Sequence, residues 1–131
     1  MDTSRNPTSE LAPSRLIRPG LRAFFRICDK WGLDTDQRII LLGAPERALY
    51  DRWLEGIVDT VPPHTVERLS YILGIYKALH TLFPDNTFAD RWLHQPNKAR
   101  LFGGKPALDR LLTGRIDDLA IVRRYLDAAC G

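Results

Sequence analysis

The sequence lacks the residue patterns that form disulfide frameworks, cysteine metal sites or membrane-spanning helices. Its 131 residues include two cysteines, Cys28 and Cys130, which form neither a disulfide framework nor a metal site. No stretch reaches the roughly 18 consecutive apolar residues that a membrane helix needs. The first fifteen residues lack the apolar segment of a signal peptide. We therefore expect a cytoplasmic protein with reduced thiols and no membrane partner.

The chain also lacks the constellations that catalysis and cofactor binding require. Its three histidines are far apart in the sequence, at His64, His80 and His94. The glycine turn before Lys105 is unlike a phosphate-binding loop, because Ala99 stands where that loop needs its first Gly and Pro106 where it needs Ser or Thr. No nucleophile, acid and base can be assembled from the remaining residues. The sequence thus predicts that the protein is not an enzyme, and that it binds no cofactor or metal.

Helical periodicity, by contrast, is present along most of the chain. Apolar residues make up 44% of the sequence, enough for a packed core, and they recur at spacings of three and four. The alternating pattern of a strand never extends over more than a few residues. The sequence predicts an all-α fold of about seven helices, with a helix-turn-helix-like bundle followed by a small helical domain.

Composition and helix-breaking residues divide the chain into three predicted parts. Residues 1–18 are rich in Ser, Thr, Pro and Arg without an apolar period, which is typical of a flexible arm. Residues 19–83 are predicted to form the helix-turn-helix-like domain, and residues 84–131 the second domain. Pro19 is placed to start the first helix and Gly32 to end it, while Asn86 is placed to cap the helix that opens the second domain.

Two short helices in the first domain have the arrangement of a helix-turn-helix. Asp34 or Thr35 can cap the first, and the break at Gly43-Ala44-Pro45 precedes a second helix over residues 46–55. The second would be the recognition helix. The candidate DNA-binding residues are Arg38, Arg47, Tyr50 and Arg52. The second helix has a net charge of −1, which opposes DNA binding unless flanking cations contribute. Those available are Arg15, Arg18, Arg22 and Arg26.

The most specialised stretch is residues 92–126, a run of short helices and turns. Pro96-Asn97 breaks one helical segment, Phe102-Gly103-Gly104-Lys105-Pro106 makes a glycine turn, and Gly114 closes a short helix. Basic residues lie on or beside these turns, whereas the aromatic and leucine residues have core spacing. Isolated basic residues are usually just solvated, but their arrangement here favours a helical surface that binds another macromolecule.

The residues that pattern this stretch resemble the C-terminal toxin-binding domain of the Xre/MbcA/ParS antitoxins. They are Trp92-Leu93, Pro96-Asn97, Phe102-Gly103, Pro106, Leu111-Leu112, Gly114 and Val122 through Leu126. The resemblance implies an antitoxin of a type II toxin-antitoxin system. Its partner would be a RES-domain toxin, an enzyme that consumes NAD or transfers from it, whose active site the antitoxin occludes.

The resemblance also implies a homodimer and autoregulation through operator DNA. The candidate toxin-binding residues are Arg100, Lys105, Arg110, Arg123, Arg124, Asp127 and Gly131. An alternative function is a helix-turn-helix transcription regulator without a toxin partner, whose C-terminal helices serve dimerisation alone. That alternative predicts strong operator binding with a steep salt dependence.

Overall fold

A computed structural model describes the backbone of residues 14–131 and the side chains of residues 16–131. Within this range the chain forms seven α-helices and no β-sheet, which confirms the all-α prediction. The helices are α1 (Ser14–Lys30), α2 (Thr35–Leu41), α3 (Arg47–Leu54), α4 (Pro63–Leu82), α5 (Asn86–Arg91), α6 (Ala107–Leu111) and α7 (Ile116–Cys130), with a 3-10 turn, Trp92–His94, after α5. None of the helices in the described range is both long and apolar enough to cross a membrane.

The first helix begins earlier than the sequence pattern indicates. Helix α1 starts at Ser14, so Pro19 lies inside it and the expected start at Pro19 is wrong. A proline removes one N–H from the helix ladder. Pro19 is the sixth residue of α1, beyond the first N–H groups that lack a partner inside the helix, so one intrahelical bond is lost while the remaining bonds continue the helix. Of the predicted arm, residues 1–13 lie outside the described residues, and residues 14–18 are helical.

Three helices end with a glycine in the left-handed conformation. The φ angles are 65° at Gly32, 91° at Gly43 and 89° at Gly56. After Gly32, the N–H of Leu33 donates to the carbonyl of Cys28 at 3.0 Å. The residue after Gly43 and the residue after Gly56 make the equivalent bond, at 2.9 and 2.8 Å. This is the Schellman motif, in which glycine tolerates the conformation and otherwise orphaned carbonyls are satisfied. The predicted stop at Gly32 is confirmed.

Aspartate side chains cap two of the helices. The Asp34 carboxylate accepts from the N–H of Gln37, whose side chain accepts from the Asp34 N–H, so α2 starts with a complete capping box. At α5 the cap is Asp85, which accepts from the N–H of Phe88 at 3.0 Å. The prediction of Asn86 as the cap is wrong by one residue. Both residue types favour this position, and the backbone bond decides between them.

Helix α4 lies at the centre of the structure. It packs against α7 along much of its length and against α1 on another side, and α5 folds back onto its end. Its side chains Ile72, Ile75 and Leu79 are fully buried. A helix that carries apolar residues around most of its circumference requires packing on several sides, which α4 obtains from these neighbours.

The two predicted domains share one hydrophobic core among the described residues. The buried cluster includes Leu21 and Trp31 of α1 together with Leu119, Val122 and Leu126 of α7. Polar contacts also cross between them. His94 Nε2 donates to the carbonyl of Trp31 at 2.7 Å, and a nitrogen of Arg68 donates to the carbonyl of Gly114 at 2.8 Å.

Ala44 is the one non-glycine residue with a positive φ in the described range, at 59°. This conformation costs an L-residue about 1–2 kcal/mol, and glycine avoids that cost at an entropic penalty of about 0.5–1 kcal/mol. We expect Ala44→Gly to stabilise the protein by about 0.5 kcal/mol. The matched change Ala120→Gly, inside α7, should destabilise it by about 1 kcal/mol. Urea unfolding of both variants measures the two signs, and a loss of stability in Ala44→Gly would contradict the strain at this turn.

The two free cysteines should differ strongly in reactivity. Cys28 is buried and Cys130 is exposed. Burial raises the pKa of the Cys28 thiol to about 12, so almost no thiolate forms there at neutral pH. At pH 8 a thiol reagent should modify one cysteine rapidly and the second after denaturation. Cys130→Ser should abolish the rapid phase, and a rapid phase that survives this substitution would show that α1 opens readily.

Candidate protein-binding surface

The segment between Gln95 and Ala107 folds into a tight loop. Its two ends meet at a bridge between Pro96 and Pro106. The N–H of Asn97 donates to Lys105 at 3.2 Å, and the N–H of Gly104 donates to the carbonyl of Asn97 at 2.8 Å. The loop reverses through Gly103 and Gly104, whose φ angles are 59° and 87°. The glycine turn predicted from the sequence is therefore present, and it projects Lys105 into solvent.

An aromatic cluster attaches this loop to the last helix. Phe102 is buried between two other rings, with its centroid 6.0 Å from Trp92 and 5.3 Å from Tyr125, both edge-on. Tyr125 is 37% exposed. Edge-on aromatic pairs contribute about 0.5–1.5 kcal/mol beyond the area they bury. The cluster fixes the loop on α7 and leaves one face of Tyr125 available to a partner.

A buried ion pair joins α6 to the first turn of α7. Asp118 is 6% exposed, and its carboxylate accepts from Thr113 Oγ1 at 2.7 Å and from Arg110 Nε at 2.8 Å. Arg110 also donates to the carbonyl of Leu101 at 3.0 Å. The Thr113 hydroxyl, followed by the Arg110 guanidinium, holds the pKa of Asp118 below its ordinary value despite burial. Arg110, predicted as a toxin contact, therefore holds together the helices of this surface.

Arg123 likewise makes contacts inside the chain. Its Nε donates to Asp127 at 3.0 Å, and its guanidinium reaches the carbonyl of Ser70 at 3.4 Å on α4. It lies directly on Gly74, where a Cβ atom would come within 2.0 Å of the guanidinium. The glycine in the middle of α4 thus provides the space for this arginine. Two predicted toxin contacts, Arg123 and Asp127, form a pair with each other.

The remaining predicted contacts are exposed. Arg100, Lys105 and Arg124 reach solvent, and so does Gly131. Among the described residues none of these three cations lies within 4.0 Å of a carboxylate, and the same holds for Lys98 on the same loop. A partner can therefore use their full charge. Lys98 was missed by the sequence prediction, although it lies between Asn97 and Arg100 on the same turn.

The predicted DNA-binding residues are placed differently from expectation. Tyr50 is 2% exposed and stacks edge-on against Phe25 at 5.7 Å, so its predicted exposure is wrong. Its ring faces α1, where it contacts Phe25. Arg38 donates to the Leu33 carbonyl and to Asp29, each at 2.8 Å.

The two arginines on α3 are exposed but paired with acids. Arg47 pairs with Asp51 at 3.0 Å, and Arg52 pairs with Asp59. These pairs are half-exposed surface contacts, which typically contribute under about 1 kcal/mol and can exchange partners.

Within residues 16–131, no group of three or more His, Cys, Asp or Glu side chains could hold a metal ion.

Two residues that determine this surface were missed by the sequence reasoning. Asp118 occupies an inward position of α7, one turn before Val122, and a carboxylate at a core position is a signal for a buried ion pair. Gly74 interrupts an apolar helix without ending it, which is a signal for a close approach by another group. Neither signal identifies the arginine that fills the space.

Residues 78–130 match a family of protein domains described as the antitoxin Xre/MbcA/ParS C-terminal toxin-binding domain. The match begins in the second half of α4 and includes the loop, α6 and α7 up to Cys130. Over these residues the chain is similar to the toxin-binding domain of that antitoxin family. No solved structure matches the chain significantly.

A full-length relative places the whole chain in a family. The chain is 45% identical over 124 residues to the uncharacterized protein y4oB of Sinorhizobium fredii (strain NBRC 101917 / NGR234). The alignment covers 95% of this chain and 94% of that protein. The chain belongs to the same family as y4oB, and its residues 78–130 are similar to the antitoxin domain.

The buried Asp118 carboxylate should contribute stability that depends on pH. Because its folded pKa is lowered, this contribution is present above the ordinary carboxyl pKa and is lost as the pH falls through the folded value. Asp118→Asn should cost about 2 kcal/mol at pH 7, since it replaces the charged acceptor of two hydrogen bonds by a neutral one while Arg110 stays partly solvated. The adjacent, exposed Asp117→Asn is the matched control and should cost under about 1 kcal/mol.

Thermal or urea unfolding across pH 2 to 7 measures both variants. The difference between the wild type and Asp118→Asn should shrink as the pH falls below about 4. Equal effects of the two substitutions, or a difference that is constant with pH, would contradict the role of this ion pair.

Proposed function

We propose that this protein is the antitoxin of a type II toxin-antitoxin system and that its partner is a RES-domain toxin, which consumes NAD or transfers ADP-ribose from it. The observation that carries the proposal is the match of residues 78–130 to an antitoxin toxin-binding domain. The RES class follows from the resemblance of the residues between Trp92 and Leu126. The antitoxin occludes the active site of the toxin.

Steric occlusion suits the chemistry of this surface. Inhibition of this kind requires complementary packing over about 800 Å² of each partner and no catalytic residue on the inhibitor. The loop from Pro96 to Pro106 and the outer face of α7 supply a rigid surface of that kind, because the aromatic cluster and the Arg110–Asp118 pair hold both in place. A surface held rigid before binding loses less conformational entropy on association.

The toxin-binding residues fall into two groups with different tasks. The first group contacts the toxin directly and consists of Arg100, Lys105 and Arg124. These side chains are exposed, and in the described part of the chain no acid lies within 4.0 Å of them. Gly131 lies at the end of α7, the helix that carries Arg124. Arg110, Arg123 and Asp127 keep the surface in shape through bonds inside the chain. The complementary toxin surface carries acidic residues opposite the first group.

Autorepression through operator DNA and a homodimeric state complete the proposal. The helix pair α2–α3 supports DNA binding by its shape, and Arg47 and Arg52 remain predicted contacts that must leave an aspartate to reach a phosphate.

For the dimer, the exposed Leu54 and Ile57 at the end of α3 are apolar surface that a second copy would cover. Light scattering of the purified protein distinguishes dimer from monomer.

The first experiment is co-purification with the product of the adjacent gene, followed by an assay for NAD consumption or ADP-ribose transfer. A stable complex that lacks this activity, while the isolated partner has it, is the expected result. A protein that neither binds nor silences its neighbour but binds operator DNA would instead be a transcription regulator without a toxin.

Charge reversal should test the residues proposed to contact the toxin directly. Lys105→Glu and Arg124→Glu remove exposed cations, so each should weaken toxin binding at least tenfold while unfolding as the wild type does. Lys77→Glu is the matched control, because Lys77 is exposed on α4 outside the antitoxin domain. Isothermal titration with the toxin measures the affinities, and unchanged affinity in both variants would show that this surface does not face the toxin.

A further inference from the structure

Four basic residues form a row, or stripe, along α1. Arg18, Arg22, Arg26 and Lys30 follow one another at intervals of four residues, and all four are exposed. Four residues of an α-helix rise about 6 Å and turn by about 40° more than one revolution, so the stripe is about 18 Å long and winds by about 120° around the helix. Each cation has a like charge four residues away along the helix.

The basic surplus of the chain is concentrated on this helix. Helix α1 holds five Lys and Arg residues against one Asp, a net of +4, whereas the whole chain has a net charge of +3. The rest of the protein is therefore slightly acidic. A charge distribution of this kind directs a negatively charged partner to α1 rather than to the molecule in general.

The stripe has few partners in the part of the chain that the structure describes. One nitrogen of Arg18 donates to the carbonyl of Val58 at 3.4 Å. Among the described residues no carboxylate lies within 4.0 Å of any of the four cations, although Asp29 and Glu55 line the groove between α1 and α3 beside them. Like charges four residues apart destabilise a helix. A row of three such pairs is unfavourable for folding and favourable for contact with a polyanion.

We propose that this stripe, and not the second helix of the helix-turn-helix pair, is the main DNA-binding surface of the protein, and that it contacts the phosphate backbone of duplex DNA. Duplex DNA carries about one charge per 1.7 Å of its axis when both strands are counted, so a row of cations about 18 Å long can reach several phosphates. Helix α3 is a poorer candidate, since Arg47 and Arg52 are paired with acids and Tyr50 is buried. The inference rests on the operator-binding part of the proposed function.

The proposal predicts the salt dependence of binding. Each phosphate contact contributes about −0.9 to the slope of log K against log salt, so four contacts give about −3.6. The probe is a fluorescein-labelled 24-base-pair duplex of arbitrary sequence, because backbone contacts do not depend on sequence. Fluorescence anisotropy between roughly 50 and 200 mM salt gives the slope.

Three double variants with the same change of charge locate the contact. Arg22→Gln with Arg26→Gln should weaken duplex binding at least tenfold at low salt and reduce the slope by about 1.8. Arg47→Gln with Arg52→Gln tests the rival helix α3, and Lys77→Gln with Arg91→Gln is a control for net charge alone. Both should bind within about twofold of the wild type. Glutamine favours helices about as well as arginine, and circular dichroism verifies that each variant is folded.

Each other result overturns the inference in a distinct way. A larger loss in the α3 variant assigns DNA binding to the helix-turn-helix pair. Equal losses in all three variants show a dependence on net charge without a site. A wild type that binds no duplex removes DNA binding from the proposed function as well, while toxin neutralisation, measured separately, is unaffected. An α1 variant that binds DNA normally but no longer neutralises the toxin identifies the stripe as a contact for an acidic protein surface.

Discussion

The packing of α4 between α1 and α7 is the contact on which the rest of the structure depends. Ile72, Ile75 and Leu79 are fully buried there, and each fully buried side chain of this size contributes about 1.5–3 kcal/mol. The short helices α2, α3, α5 and α6 have too few residues to be stable alone and acquire their order from this centre. Because Gly74 leaves space on α4 for Arg123, the same contact also positions the outer face of α7. The packing of α4 against α7 therefore forms part of the core and also positions the proposed toxin-binding surface.

Arginine has two roles in this fold, and its surroundings decide which one applies. Arg38, Arg110 and Arg123 donate to backbone carbonyls and carboxylates of neighbouring elements, and they hold helices and turns together. A guanidinium suits this task because it presents several donors in a fixed plane. Arg100, Arg124 and the stripe on α1 are instead exposed, and their charge is available to partners. The two proposed partners, an acidic toxin surface and the DNA backbone, would thus use different regions of one small basic protein.

The α2–α3 pair consists of two short helices joined by a turn in which Gly43 is in the left-handed conformation. That this pair is a DNA-binding helix-turn-helix stays a prediction. The second helix, however, buries Tyr50 against α1 and pairs its arginines with acids. A buried hydrogen bond also attaches the end of α2 to α4. The hydroxyl of Thr65 on α4 donates to the carbonyl of Leu42 at 3.0 Å. In this chain the pair acts as a support for α1 and α4.

The sequence by itself determined the helical class, the glycine-terminated helices, the glycine turn before Pro106 and the resemblance to a toxin-binding domain. These features depend on local rules, namely apolar spacing, left-handed glycine and the order of residues along the chain, which a sequence displays directly. Only the tertiary structure decided that Tyr50 is buried, that Asp85 rather than Asn86 caps α5, and which arginines are free. The contacts of a long charged side chain depend on which carbonyls and carboxylates fold next to it. For Arg110, Arg123 and Arg68 the partners on other elements lie 8 to 53 residues away. The sequence does not show which residues make such a contact, because the partners become neighbours only when the helices pack around α4.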